Sequence, residues 1–388
     1  MPSLTSKTPL HLLVLGIAEG KRMRHMQLAG KKFEPYIQLN ILDYTNIIQT
    51  PERILDSLPP NSWLKIDSPG EDPQVQEFFI RQGWQLQQHT HRPLQLPTQH
   101  GQLMASDDWY YGYADFLNRL ESLITPELNI RWVNNIKSIL LMTDKWCCQQ
   151  HFQQYHIPTP QLLGQIHNYD EFQTLMQQHS AAQVFIKARY GSSASGIIAY
   201  RRNRQGRQQA SSTTIFENDL PFNSKRVRQY TQESDIARLI NAIAQYDAYV
   251  ENWIPKPRLN VQGKSLSFDF RTLMLNGQPQ HEIIRASTHP MTNLHLDSHR
   301  IQSEQVKTQY GIAHMHDILE QAASTLPDAH IIGFDTIATP SKAWVLEANA
   351  FGDLLLDIRH QEQSTYEAQL ACLLQQQKIG DYYSHFNN

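Results

Sequence analysis

Cysteine is scarce in this sequence, and its scarcity excludes two ways of holding a fold together. Only three cysteines occur among 388 residues. Cys147 and Cys148 are adjacent, and Cys372 stands far from both. Neither a disulfide framework nor the ligand spacing of a structural zinc site is present. A protein of the reducing cytoplasm is therefore expected.

Long apolar runs are also missing. No stretch approaches the roughly 20 apolar residues that a membrane-spanning helix needs. The run Leu10–Gly16 is apolar, but no basic segment precedes it and no cleavage site follows it. We interpret this run as a first buried β-strand rather than as the core of a signal peptide.

A strong net charge is absent too. The formal net charge of -3 and the isoelectric point near 6.6 give no electrostatic case for nucleic acid or an anionic membrane as a partner. Hydrophobic residues at 40% and charged residues at 18% are typical of a globular protein. A chain of 388 residues is long enough for two or three domains. Its oligomeric state is left open.

Residues 1–125 alternate between strand and helix patterns, which predicts a small open α/β sheet. The predicted strands are Leu12–Leu15, Ile37–Ile41 and Trp63–Ile66, and the predicted helices are Pro51–Leu58, Val75–Gly83 (ended by its glycine) and Tyr113–Ile124. Asp67, Ser68 and Gly70 follow the third strand. There they form either a plain turn or a contact to a substrate at the strand ends.

Residues 126–250 contain two lysines in unusual places. Thr143 is predicted to cap a helix that carries Lys145 in its first turn, where the helix dipole disfavours a cation. Lys187 lies on the first of two strands that flank the loop Gly191–Gly196. Such a loop either wraps its backbone N–H groups around a phosphate or is simply the tip of a hairpin. The polar segment Arg204–Ser212 is predicted to be a second loop.

Residues 251–388 begin after a strand that ends near Glu251. A strand over Ser267–Leu275 and a partner reaching Arg285 are joined at an Asn-Gly turn, which predicts a hairpin. Asp269 and Arg271 share one face of the first strand, either as a surface ion pair or as part of a site. The histidines between residues 288 and 300 lack the spacing of a zinc site.

The sharpest chemical signal is a second hairpin near the C-terminus. Folding Ile331–Ala338 against Ala343–Ala350 brings Asp335 opposite or diagonal to Glu347, and Asn349 shares the face of Glu347. Facing carboxylates destabilise a bare sheet, and a hard divalent cation removes the conflict. Carboxylate and amide oxygens suit Mg²⁺.

These segments, in this order, resemble the ATP-grasp superfamily from about Asn134 to Leu374. The C-terminal half is most similar to ribosomal-protein glutamate ligases and glutathione synthetases, through Asp269-Phe-Arg271 and Thr292-Asn-Leu-His295. The whole chain also resembles a bacterial branch of the superfamily. The resemblance implies a mixed α+β and α/β architecture: an N-terminal open α/β (pre-ATP-grasp) domain over 1–125, then two ATP-grasp subdomains over 126–250 and 251–388.

The resemblance also implies a role for particular residues. Those implied to hold the nucleotide are Lys145, Lys187, Gly191, Ser192, Ser193, Ser195, Gly196, Glu251 (adenine amino group) and Ile254 (beside the ring). Those implied to line the phosphate-transfer and substrate end are Arg271, Arg285 and Asn293. Those implied to hold one or two Mg²⁺ ions, with Mn²⁺ as a substitute, are Asp335, Glu347 and Asn349.

Three positions depart from the family pattern. No acidic residue for the ribose hydroxyls stands near Lys256–Arg258, which leaves the identity of the nucleotide open. Asp297-Ser298 replaces an expected glycine pair, and Phe351-Gly352-Asp353 follows Asn349 where proline-glycine is usual. The last two departures predict an altered acceptor pocket.

The leading hypothesis is an enzyme, an ATP- and Mg²⁺-dependent carboxylate–amine or carboxylate–thiol ligase that forms an acylphosphate on a small molecule or peptide. One alternative is phosphotransfer to a hydroxyl, although the His-Arg-Asp and Asp-Phe-Gly segments of protein kinases are missing. Another is a nucleotide-binding partner protein without turnover. The identities of the carboxylate donor and the acceptor are not readable from the residues.

Overall fold

The computed structural model describes residues 9–384, apart from 71, 89–91, 95, 97–98, 100, 104, 192–194, 293–298, 302–305, 307–311, 327, 353–354 and 356–357. The strands in this part of the chain form three sheets. No helix within it is long and apolar enough to cross a membrane.

An open parallel sheet forms the N-terminal part. Its elements are β1 (Leu10–Gly16), α1 (Lys21–Lys32), β2 (Ile37–Asp43), a 3₁₀ helix (Pro51–Ser57), β3 (Trp63–Ile66), α2 (Pro73–Leu86), α3 (Ser106–Leu123) and β4 (Arg131–Trp132). The strands lie in the order β2-β1-β3-β4. The chain order reverses between β1 and β3, which is where open parallel sheets form a ligand crevice at the carboxyl ends of their strands. The three predicted strands and the open sheet are confirmed.

Helices α2 and α3 cross at two glycines, and this contact corrects the predicted end of α2. Gly83 is predicted to end the helix, but α2 continues to Leu86. A Cβ atom at Gly83 would lie 1.8 Å from the Asp108 carbonyl oxygen, and one at Gly112 would lie 2.0 Å from the Phe79 carbonyl oxygen. Gly83 therefore allows the close approach of two helices instead of ending one.

The middle part is an antiparallel sheet with helices on one face. Its elements, after the connecting helices α4 (Ile136–Thr143) and α5 (Lys145–Gln154), are β5 (Leu162–Ile166), α6 (Tyr169–Gln178), β6 (Gln183–Ala188), β7 (Ile197–Arg202), β8 (Gln208–Glu217), β9 (Leu220–Tyr230), α7 (Glu233–Ala244) and β10 (Ala248–Asn252). The strand order is β5-β10-β6-β7-β8-β9. The predicted helices over 169–178 and 233–244 are confirmed to the residue.

The predicted loop Arg204–Ser212 is wrong for its second half, because β8 begins at Gln208. Ala210 and Ser212 are fully buried, and the Ser212 hydroxyl donates to the Ile197 carbonyl oxygen at 2.7 Å. Hydroxyl groups that find such partners are buried at little cost, so a polar composition does not exclude a buried strand.

The C-terminal part is a second antiparallel sheet. Its elements are β11 (Arg258–Val261), β12 (Lys264–Leu275), β13 (Gln278–Ser287), β14 (His299–Ile301), α8 (Ile312–Ser324), β15 (Ile331–Ala338), β16 (Ala343–Asn349) and α9 (Thr365–Ser384). The order is β14-β13-β12-β15-β16, and β11 pairs with β12. Both predicted hairpins of this region are confirmed.

The cores show which faces remain for a site. One apolar cluster joins Phe79 of α2, Phe152 of α5 and Phe334 of β15. A separate cluster packs β6 and β10, through Val184 and Val250, against α6 and α7. Because side chains alternate along a strand, the opposite face of β6 and β10 is free to carry polar groups.

Candidate active site

The candidate metal pair lies on the β15–β16 hairpin. Asp335 is directly opposite Glu347 in the strand register, and Gly333 is opposite Asn349. The predicted cross-strand pair of carboxylates is therefore present. The Asn349 amide nitrogen donates to the Gly333 carbonyl oxygen at 3.3 Å, so its side-chain oxygen is the atom left to act as a ligand.

Two arginines hold Asp335. Arg271 is its register partner across β12 and β15, with Nε against Oδ1 and Nη2 donating to Oδ2 at 3.2 Å. Arg285 brings Nη2 to 3.0 Å from the same Oδ2. Burial raises the pKa of Asp335, and the two guanidinium groups act against this rise. The carboxylate is thus fixed between two cations before any ligand enters.

Lys145 holds the other carboxylate. Its Nζ lies 3.2 Å from Glu347 Oε2. The predicted capping residue is corrected: Asp144, not Thr143, caps α5 by accepting from the Cys147 amide, while Thr143 is the last residue of α4. Arg189 holds Asp144 in turn, with Nε and Nη2 donating at 2.8 and 2.6 Å.

The two facing carboxylates differ in their acidity. Burial opposes ionisation of Glu347, but Lys145, Arg271 and Lys187 together lower its pKa to about 2. Burial dominates at Asp335 and raises its pKa. Glu347 is thus held firmly as an anion by cations around it, which is the state that a metal ligand requires.

The donor set fits a hard divalent cation. Two carboxylates and an amide oxygen lie on one face of adjacent strands, and the Glu347 side chain is 22% exposed. Oxygen ligands of this kind suit Mg²⁺, which keeps several waters and phosphate oxygens. No group of three or more His, Cys, Asp or Glu side chains arranged to hold a metal ion occurs among the described residues. Partners from a nucleotide would have to complete the coordination.

A buried ion network adjoins this pair. The sequence predicts Asp269 and Arg285 as candidate residues in this region, but not Lys256. Asp269 is 1% exposed and accepts from Arg285 Nε and Nη2 at 2.9 and 3.0 Å. Lys256 adds its Nζ at 2.9 Å from Asp269 and donates to the Thr292 hydroxyl at 2.6 Å. Asp269 therefore pairs with Arg285 and Lys256 rather than with Arg271. The alternation along β12 pointed to Asp269, whereas no local signal points to Lys256.

A second ion pair lies on the middle sheet, between β6 and β10. Lys187 Nζ lies 2.6 Å from Glu251 Oε1, and both side chains are buried. Glu251 Oε2 has no hydrogen-bond partner in the part of the chain that the structure describes. Burial raises the pKa of Glu251, and Lys187 works against that rise. A buried acceptor of this kind calls for an N–H donor from a ligand.

The glycines of the predicted phosphate loop are required by close contacts. Gly196 has a φ of +68° and its carbonyl oxygen accepts from the Ala188 amide at 2.8 Å. A Cβ at Gly196 would lie 2.8 Å from the Ala188 Cβ, and a Cβ at Gly191 would lie 2.8 Å from the Ser195 carbonyl oxygen. Gly191 and Gly196 therefore lie tightly against the end of β6, close in sequence to Lys187.

Some of the predicted residues lie where the structure gives no contacts for them. Ser192, Ser193 and Asn293 lie outside the described residues, as do Asp297, Ser298 and Asp353. Ile254 is described and is half-buried in the segment after β10. The roles predicted for Ser192, Ser193, Asn293 and Ile254 stay predictions, as do the roles of the other predicted site residues.

Arg22 connects the N-terminal sheet to the segment that follows the β15–β16 hairpin. Asp67 is fully buried and contacts both Arg22 and Lys65. Arg22 also donates to the carbonyl oxygen of Phe351, two residues beyond Asn349. The segment after β3 is a turn, with the Ser68 amide donating to Asp67 Oδ1 at 2.8 Å. The turn is present, and the alternative of a contact to a substrate stays a prediction. Arg22, which contacts both Asp67 and Phe351, joins the two parts of the protein.

Solved structures with the same arrangement identify the fold. D-cycloserine synthetase DcsG matches with a TM-score of 0.53 at 10% identity, over 94% of this chain and 99% of that chain. The ADP complex of purK, N5-carboxyaminoimidazole ribonucleotide synthetase, matches with a TM-score of 0.53 at 10% identity, over 95% and 78%. Both are ATP-grasp ligases. The chain has the ATP-grasp fold.

A third match agrees with this fold. The D-alanine–D-alanine ligase of Bacillus anthracis, complexed with ATP, matches with a TM-score of 0.51 at 10% identity, over 94% of this chain and 96% of that chain. No protein-family model matches the chain, and no curated protein sequence matches it. Structural similarity at 10% identity shows the fold alone, so function must be argued from the residues of the site.

Proposed function

We propose that the protein is an ATP- and Mg²⁺-dependent ligase that joins a carboxylate to an amine or a thiol through an acylphosphate. The observation that carries the proposal is the direct pairing of Asp335 with Glu347 between fixed cations, within an ATP-grasp fold. A pocket that gathers cations and a metal-type carboxylate pair suits a triphosphate and a charged transition state.

The charge balance of the site supports an anionic ligand. The ion pairs of the candidate metal pair, of Asp269 and of Glu251 involve five cations and four carboxylates, namely Lys145, Lys187, Lys256, Arg271 and Arg285 against Asp269, Asp335, Glu251 and Glu347. Cations already fixed by neighbours need little reorganisation when charge develops in the reaction. A bound Mg²⁺, held by Asp335, Glu347 and Asn349, would neutralise charge on the phosphate oxygens.

The reaction would run in two displacements. A carboxylate oxygen of the donor attacks the γ-phosphorus of ATP, the bond from that phosphorus to the bridging oxygen breaks, and ADP leaves. An amine or thiol then attacks the acyl carbon of this acylphosphate. The bond between the acyl carbon and the phosphate oxygen breaks, and phosphate and a proton are released. In this scheme Lys145 and Lys187 bind phosphate oxygens, and Arg271 and Arg285 orient the transferred group.

The base of the nucleotide would lie at the other end of the site. Glu251 Oε2, buried and without a partner among the described residues, is the acceptor proposed for the adenine amino group. A buried carboxylate oxygen rejects a base that presents only an acceptor there, because both groups would remain unpaired. Adenine rather than guanine nucleotides are therefore proposed as the cofactor, with the Ile254 backbone beside the ring.

The three units 1–125, 126–250 and 251–388 are proposed as domains. Each carries most of one sheet, which supports the division. The short strand β4, residues 131–132, adds to the N-terminal sheet from beyond the first bound. Nucleotide would bind between the second and third units, and the donor or acceptor, a small molecule or peptide, would bind against the first.

An isotope experiment tests the ligase. The protein is incubated with Mg·ATP and a panel of carboxylic acids and amines, with each carboxylate labelled with ¹⁸O. One ¹⁸O atom in the released phosphate, together with the joined product, is expected. A phosphorylated acceptor without label in free phosphate would instead identify a phosphotransferase. Tight binding of Mg·AMPPNP with no ADP from any pair would identify a binding protein.

A further inference from the structure

Tyr249 is a buried residue that none of the motifs singles out. It lies on β10, two residues before Glu251, and is paired with Lys187 of β6 in the strand register. Opposed residues of an antiparallel pair share a face, as do residues two apart on one strand. Tyr249 therefore lies on the same face of the sheet as Lys187 and Glu251. Val250, between Tyr249 and Glu251, packs into the core on the other face.

The hydroxyl of Tyr249 is a buried polar group. The residue is 0% exposed, and its hydroxyl has no hydrogen-bond partner in the part of the chain that the structure describes. The ring packs against Trp146 of α5 with the centroids 5.8 Å apart. That packing needs only a phenyl ring, and phenylalanine would provide it without burying an unpaired hydroxyl. Buried unpaired polar groups destabilise a protein, so a partner outside the chain accounts for the tyrosine.

The surroundings indicate what that partner is. Burial, and then the charges of Glu251 and Glu347, raise the pKa of Tyr249, so the hydroxyl stays protonated and can donate. Tyr249 lies opposite Lys187, which pairs with Glu251, and its ring packs on Trp146, the residue after the Lys145 that pairs with Glu347. These contacts put it between the proposed base end at Glu251 and the proposed metal end at Glu347. In a bound nucleotide, the ribose and the phosphate attached to it lie between the base and the metal ion. With Lys187 beside it, an anionic oxygen is the acceptor that fits best.

We infer that Tyr249 is a nucleotide-binding residue whose hydroxyl donates a hydrogen bond to a phosphate oxygen of the bound nucleotide. The inference rests on the nucleotide site proposed above, and it adds a contact of this chain's own. Glu251 Oε2 and the Tyr249 hydroxyl are then an acceptor and a donor on one strand face that a single ligand satisfies together.

The isosteric change Tyr249→Phe tests the inference through two effects of opposite sign. Removing an unpaired buried hydroxyl should raise the melting temperature of the ligand-free protein, by about 1–3 °C. Removing a donor to a charged oxygen should weaken binding of Mg·AMPPNP by roughly tenfold or more. A role in packing alone cannot produce both effects. Calorimetric titration and a thermal unfolding scan measure them.

A ligand series locates the contact, and a second tyrosine serves as control. Adenosine should bind equally to the wild type and Tyr249→Phe, whereas AMP and AMPPNP should bind more weakly to the variant. Tyr113→Phe removes another fully buried hydroxyl, in the core of the N-terminal unit, and should leave all three affinities unchanged.

Three outcomes would overturn the inference. Equal AMPPNP affinities for the wild type and Tyr249→Phe would show that the hydroxyl does not contact the nucleotide, while the proposed nucleotide site would stand. An equal loss of affinity for adenosine and AMP would move the contact to the ribose or base. Failure of the wild type to bind any of the three ligands would refute the proposed function and this contact with it.

Discussion

Arg285 lies between Asp269 and Asp335 and bonds to both carboxylates, with Nη2 3.0 Å from an oxygen of each. One guanidinium therefore joins the buried ion network to the candidate metal pair. The arrangement fixes Asp335 by a side chain that is itself fixed, since Asp269 is held by Lys256 on its other side. Sites held in this way keep their geometry without a ligand.

The carboxylate pair gives the first prediction. Asp335→Asn and Glu347→Gln keep the shape of each side chain and remove its charge, so each should lower ADP formation by about 10²-fold or more. The Mg²⁺ concentration needed for AMPPNP binding should rise in both variants, because a ligand of the metal is weakened. Calorimetric titration at several Mg²⁺ concentrations measures this shift. Unchanged ADP formation in both variants would contradict the assignment.

How much of this site follows from sequence depends on the range of each interaction. Asp335 and Glu347 are 12 residues apart on one hairpin, so period-two alternation and a short link were enough to predict their pairing. The cations that hold them come from other elements: Arg271 and Arg285 from β12 and β13, and Lys145 from a helix. The alternation of side chains along a strand predicts on which face of the sheet a residue lies, but not which side chain from a distant element contacts it.

The fold was predictable where one local pattern dominates. The amphipathic helices over 169–178 and 233–244 match the structure because apolar spacing and burial agree. The start of strand β8 is not predicted, because its serine residues and other polar residues are typical of a loop. Gly83 was misread as a helix end, because a glycine at a helix crossing and one at a C-terminus look alike in sequence. Both errors concern tertiary contacts.

The crossing of α2 and α3 gives the second prediction. Gly83→Ala and Gly112→Ala each place a Cβ atom within 2.0 Å of a backbone carbonyl oxygen of the other helix. Backbone cannot move aside cheaply, so each variant should lose about 3 kcal/mol or more of unfolding free energy in urea. Gly30→Ala is the control, because its Cβ would meet only the end of the flexible Leu39 side chain. Wild-type stability in Gly83→Ala would show that the helices do not cross so closely.

The buried ion pairs of Asp67 give the third prediction, on acid stability. Burial raises its pKa, but Arg22 and Lys65 overcome this and lower it from 3.8 to about 2. A lowered pKa stabilises the folded state above pH 3.8, and this contribution is lost as the pH falls from 3.8 towards 2. The contribution is about 2 kcal/mol.

Urea unfolding of Asp67→Asn as a function of pH tests this contribution. The variant should be less stable than the wild type at pH 7 by about 3–5 kcal/mol, because Lys65 and Arg22 lose their counterion in the interior. The deficit should shrink in acid. Asp219→Asn is the matched control, since Asp219 pairs with Arg238 on the surface and its side chain is 96% exposed. A deficit for Asp67→Asn that is constant from pH 7 to pH 2 would count against the assigned pKa.

Lys256 begins the segment Lys256–Arg258, which lacks the acid that the ATP-grasp resemblance predicts for the ribose, and its contacts give the fourth prediction. Its ammonium is turned instead to Asp269 and Thr292, at 2.9 and 2.6 Å. Lys256→Met should cost about 2 kcal/mol of unfolding free energy, since Asp269 keeps Arg285 as a partner. Lys256→Glu should cost more, about 3–5 kcal/mol, because it sets a second buried carboxylate beside Asp269. Urea titration at pH 7 ranks the two variants. If Lys256→Glu were as stable as the wild type and bound AMPPNP more tightly, the residue would face the ribose and not Asp269, and the support of Arg285 would have to come from elsewhere.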